Sequence, residues 1–258
     1  MTSGEFRKRQ LVTSIYLPSL LITDAEGALL PNLPVSAVGF GFSLAEASIV
    51  TTVLMVSTMV FEVPASWLNS KIGERQAMIT STVLGFAMTL LAFFHLGYPA
   101  LVLSALGFGA AHSLFGLARH SLLAEIVPEQ HRPKSMSLLG GMFRGGMAIG
   151  PVLGSAFIVL YGVEFGYLAA AILCLASGAS IMFAPKGRLK TAPSVQNGNV
   201  WKFARPDAPH LATLGAASAL ISAGRPIRLC VCPLLSIQLR LSPGAPSFSL
   251  AMPLLIDF

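Results

Sequence analysis

Charge is what this sequence has least of. Asp, Glu, Lys and Arg make up 11% of its 258 residues, against about 25% in an ordinary soluble domain. So few charges cannot cover a water-facing surface of this size. Cysteine is also scarce: Cys174 falls inside an apolar segment, and Cys230 and Cys232 are one residue apart. That odd, uneven set supports neither a disulfide framework nor a zinc site. No histidine–carboxylate cluster, Ser–His–Asp set or metal-ligand spacing occurs at a helix end, so no catalytic residue, cofactor or metal is expected, and the chain does not read as an enzyme. The net charge of +6 comes from 17 Lys and Arg scattered over several loops. They lack the interleaved aromatics of a nucleic-acid surface, and no nucleic-acid partner is expected.

Apolar residues are what the chain has instead. They form 54% of it, at a mean hydropathy of +0.72. They come in runs of roughly 20, the length that crosses about 30 Å of hydrocarbon at the helical rise. Six spans are predicted, at about 11–33, 44–67, 76–95, 99–124, 136–161 and 165–184. Before the first, Phe6-Arg7-Lys8-Arg9 and the apolar run that follows resemble a signal peptide. Asp24 and Glu26, however, occupy the place of a cleavage site, and the segment is read as a retained helix. The second span opens on Ser43-Leu44-Ala45-Glu46, the spacing of a capping box.

Orientation follows from the basic residues, which short cytoplasmic loops retain in excess. Residues 1–10, the second-to-third connection (Lys71, Arg75), the fourth-to-fifth (Arg132, Lys134) and the segment after the sixth span together carry twelve Lys and Arg. The opposite connections, 35–43, 96–98 and 162–164, carry none. The expectation is a multi-pass protein of the cell membrane, with lipid as its solvent and a cytoplasmic N-terminus. Residues 185–209 then read as a basic cytoplasmic linker. Residues 210–258 read as a seventh helix that starts and is lost among Arg225, Pro226 and four later prolines.

Three stretches carry a resemblance. The first, Ser66-Trp67-Leu68-Asn69-Ser70-Lys71-Ile72-Gly73-Glu74-Arg75, resembles the loop signature of the major facilitator superfamily at Leu68, Lys71, Gly73 and Arg75. Ser66 and Ser70 stand where that family has glycine and aspartate. A tight basic loop turned by Gly73 accounts for the same residues. The second, Gly146 to Ser155, resembles the family's antiporter-associated glycine–proline signature, with Gly146, Gly150 and Gly154 at every fourth position and Pro151 among them. An ordinary packing face of small residues has the same spacing. The third runs from Arg119-His120 through Glu125, Pro128 and Arg132 to Gly140-Gly141 and Arg144, and is similar to drug-efflux and proton-linked members. The resemblance covers about residues 9–185. It implies the six-helix N-terminal half of a secondary transporter, whose sites lie between two halves. A second half-transporter or another copy is then an expected partner, together with a small solute or drug and protons.

Ionisable residues at membrane depth are costly, by at least about 2.5 kcal/mol for a charge, and so are functional candidates. They are Asp24 and Glu26 in the first span, His112 and Arg119 in the fourth and Arg144 in the fifth. Arg119 and Arg144 each lie about 13 Å from the basic end by residue count and are expected in one layer. Asp24 and Glu26 are about 200° apart around their helix, so only one faces a given cavity. Glu26, beside Gly27 and Ala28, is the one expected inward. The functional expectation is that Glu26 changes protonation while Arg119 or Arg144 pairs with it, with His112 as a helix–helix contact. A static buried ion pair, a non-transporting fragment of a truncated or frame-shifted gene, and a membrane-embedded enzyme are the competing readings.

Overall fold

A computed structural model describes residues 11–184 and contains no strand among them. A π-helical turn, Val12–Tyr16, leads into α1, Leu17–Gly39. There follow α2 (Leu44–Val60), α3 (Glu62–Ile72), α4 (Glu74–Phe93) and α5 (Tyr98–Ile126). A 3₁₀ turn, Glu129–His131, then precedes α6 (Arg132–Tyr161) and α7 (Val163–Phe183). The basic segment 1–10, the linker 185–209 and the tail 210–258, with Cys230 and Cys232, lie outside the described residues.

Local chemistry sets the boundaries. The Glu46 amide donates to Ser43 Oγ at 3.3 Å while the Ser43 amide donates to the Glu46 carboxylate at 2.8 Å, which satisfies two orphan donors where α2 begins. Two connections are a single glycine each, Gly73 between α3 and α4 and Gly162 between α6 and α7. Their φ angles of 82° and 113° lie where a side chain is disfavoured. Across these short joints α7 packs back along α6, whereas α3 and α4 touch little.

The bundle has α1 at its centre: 17 of its 23 residues are buried, so it is enclosed by protein on nearly every side. It packs on α6, α7 and α2, while α4 packs on α5 and α7. Around this core the outer surface is apolar, with Val83, Val159, Leu160, Ile172 and Phe183 all more than two-fifths exposed. That arrangement suits a hydrocarbon solvent and not water.

The all-helical membrane architecture holds, but the expected count of six spans needs two corrections. Four helices, α4, α5, α6 with its leading 3₁₀ turn, and α7, are long and apolar enough to cross a membrane. The expected second span is two helices, α2 and α3, bent by 50° at Phe61. Pro64 explains the break, since its ring collides with the carbonyl of Val60 and it has no amide to donate. With that pair taken as one span the count is five. Helix α1 does not qualify by composition, because it carries Asp24, Glu26, Asn32, Pro31 and Pro34. It needs no lipid-compatible surface, since its polar groups face other helices.

Candidate functional site

The expected loop signature is not a loop. Residues 66–72 are the last turns of α3, Gly73 is the joint, and Arg75 already belongs to α4. Leu68 packs against the core. The Lys71 ammonium sits 3.8 Å above the exposed Trp67 ring, a cation–π contact. Arg75 has a role that spacing did not suggest. Its guanidinium donates to the carbonyls of Ile181 (2.9 Å), Met182 (3.2 Å) and Ala184 (3.1 Å), at the C-terminal end of α7 where intrahelical donors run out. Arg132 caps α5 likewise, through Ala124 at 2.8 Å and Val127 at 3.2 Å. Glu125 and Glu62 make no ion pair among the described residues.

Gly146, Gly150 and Gly154 all meet α1. A methyl group on Gly146 would lie 2.8 Å from the Leu20 carbonyl oxygen, and one on Gly154 would lie 3.2 Å from the Ala28 Cα. At Gly150 it would overlap the carbonyl of Asp24. Gly27 returns the contact from α1, with its missing Cβ 2.9 Å from the ring of Pro151. Two backbones thus approach as closely as glycine permits. Helix α6 continues through Pro151, whose own side chain is part of that contact.

This contact fixes the rotation of α1, and with it the position of Glu26. The Glu26 carboxylate, 6% exposed, lies 3.4 Å from Nδ1 of His112 on α5. The approach is too poorly angled for a hydrogen bond, and both atoms remain without one. Two turns along α5, on the same face, Arg119 is buried and close enough to Glu26 for their charges to interact. Its Nε and Nη1 have no hydrogen-bond partner. Phe143 of α6 joins the two α5 residues: its ring centre is 6.4 Å from that of His112 and 5.8 Å from the Arg119 guanidinium carbon.

Of the ionisable residues singled out in the sequence, Glu26, His112 and Arg119 therefore come together. Asp24 is buried as well, but its backbone lies against Gly146 and Gly150, and its Oδ1 has no partner. Arg144 is exposed on α6 and makes no ion pair among the described residues. Sequence reasoning passed over Phe143, because an aromatic in an apolar helix reads as core. The available signal was its place one turn before the glycine series, on a helix shared with Arg144.

Helices α5 and α6 follow one another in sequence but barely touch. Gly116, between His112 and Arg119 on α5, and Gly140 and Gly141 on α6 have nothing within 4 Å of where a Cβ would stand. Open space thus lies beside Gly116 on the face of α5 that carries His112 and Arg119, where Phe143 of α6 touches both and Glu26 reaches in from α1. Unsatisfied donors and acceptors meet there around open space, which is the arrangement a polar ligand or a mobile proton requires.

Residues 15–255 match the family model described as Major Facilitator Superfamily. Among solved structures, the fold is similar to that of a D-xylose–proton symporter, with a TM-score of 0.67 at 14% identity. That match covers 96% of this chain and 64% of the symporter. It is also similar to the peptide transporter POT, solved in complex with sulfate, with a TM-score of 0.62 at 15% identity over 81% of this chain and 45% of that one. The chain thus spans about half to just under two thirds of the length of these structures, and at such identities the likeness is one of fold.

Proposed function

The chain belongs to the Major Facilitator Superfamily, and from that premise we propose that it acts in proton-coupled movement of a small solute across a membrane, with Glu26 as the group that takes up and returns the proton. In such folds the solute binds near the midplane between two helical halves that rock against each other. The bundle of α1–α7 supplies one half. The facing half comes from a second half-transporter or another copy of the chain, and the basic end of the bundle faces the cytoplasm. The glycine–proline series favours export as the direction.

One observation carries this reading: Glu26 Oε2, His112 Nδ1 and Arg119 Nε and Nη1 are gathered at one place in the bundle, and none has a hydrogen bond. A pair kept only to hold helices together is expected to be satisfied, because an unpaired buried polar atom costs about 1–3 kcal/mol. A carboxylate whose proton affinity depends on how a nearby cation is engaged can couple proton binding to solute binding. His112 is its exchange partner, and Arg119 is the cation that the solute draws away from it or returns to it.

The test is flux of a solute panel into proteoliposomes holding the full chain, with and without a pH gradient. A Glu26→Gln variant that still inserts in the bilayer is expected to lose its response to the gradient. Coupling that persists in this variant would remove Glu26 from the mechanism.

A further inference from the structure

We propose that the open space beside Gly116 on α5 binds the carboxylate of a small organic anion, with Arg119 as the buried anchor and Phe143 as the shelf for the anion's apolar or aromatic body. The proposal names the solute class for the transport reading above and rests on it only for what the bound anion is for.

Arg119 is 7% exposed, and its Nε and Nη1 carry no hydrogen bond. A guanidinium does not shed its charge in a protein, so this cation requires an anion beside it. Glu26 is near enough for the two charges to interact, but it makes its close contact with His112, and no described acid forms an ion pair with Arg119, so its Nε and Nη1 stay free for a second anion. The missing partner has room. Gly116 lies one turn from both His112 and Arg119, and the space where its side chain would be is open.

The charge around that space has a sign. Arg144, unpaired among the described residues, is on the exposed face of α6, three and four residues beyond Gly141 and Gly140, where there is also open space. On these two helices, then, a buried cation, Arg119, and an exposed one, Arg144, stand near the single buried carboxylate of Glu26. The other buried acid, Asp24, has its backbone packed on the glycine series of α6, about 200° around α1 from Glu26. The Phe143 ring, 5.8 Å from the Arg119 guanidinium carbon, adds an apolar surface that a bare inorganic anion does not use. A planar carboxylate matches the planar donor array of arginine, and a short hydrocarbon body matches the ring.

The experiment measures equilibrium binding to the purified full chain, so its readout does not depend on flux. Benzoate, benzylammonium and benzyl alcohol are compared as an anionic, a cationic and a neutral probe of nearly one shape. Saturable binding of benzoate in preference to the other two is expected. Arg119→Gln is expected to weaken it at least about tenfold, and Arg119→Lys to recover part of the loss. Gly116→Leu, whose Cβ has no neighbour within 4 Å and whose longer side chain extends into the space proposed for the anion, is expected to block binding while the chain still folds. Preference for benzylammonium, benzoate affinity unchanged in Arg119→Gln, or no saturable benzoate binding would each overturn the proposal. Benzoate bound in a protein that moves no solute would remove the transport reading and leave the anion site standing. Gradient-driven flux without benzoate binding would remove only the anion site.

Discussion

In α6, Gly146, Gly150 and Gly154 lie against the backbone of α1, whereas Gly140 and Gly141, about two turns earlier, border open space. The residue type and the helix are the same, but the consequences are opposite. In the first group the missing side chain is replaced by another helix, and dispersion contacts between backbones hold the pair together where lipid provides no hydrophobic drive. In the second group nothing replaces it, and the helix loses conformational order for a vacancy. A glycine-rich membrane helix is thus no uniform signal. The fourfold spacing with a proline marks contact, and the adjacent pair marks a gap.

Substitutions grade this difference. The largest effect is expected at Gly150, where a valine would overlap the Asp24 carbonyl and drive α1 from α6, a loss of about 3 kcal/mol or more. Unfolding of the detergent-solubilised chain measures it, and a Gly150→Val variant of parental stability would mean that the two helices do not pack this closely. A smaller cost, about 1 kcal/mol, is expected for Gly154→Ala, whose new methyl group meets the Ala28 Cα and Cβ at 3.2 Å and needs only a slight shift. The smallest effect, of opposite sign, belongs to Gly140→Ala: with no neighbour within 4 Å it is expected to stabilise the chain by about 0.5–1 kcal/mol. Should Gly140→Ala cost as much as Gly154→Ala, the gap is closed in the membrane and the contrast within α6 fails.

Features set by neighbours along the chain were legible in the sequence. The Ser43–Glu46 capping box and the positive φ of Gly73 depend on residues a turn or less apart, and both are present as read. The break at Phe61 was legible too, but the run of apolar residues from 44 to 67 outweighed the one residue, Pro64, that forbids a straight helix there. At α1 the six-span count departs for another reason: a composition test assumes lipid around every span, and α1, which carries Asp24, Glu26, Asn32 and two inner prolines and is enclosed by other helices, does not meet it. The meeting of Glu26 with His112 was out of reach, because it depends on how α1 is rotated against α5. That rotation is set by a third helix, α6, through contacts between residues more than a hundred positions apart. Arg144 shows the same limit, since equal depth along two helices says nothing about the direction each residue faces.

Arg75 stands two residues past the joint between α3 and α4, yet it holds the last carbonyls of α7. Helix α4 is thereby stapled to the C-terminal end of α7, more than a hundred residues further on. A tug on the chain leaving α7 is passed to α4 before it can peel α7 away, and the two helices must travel together.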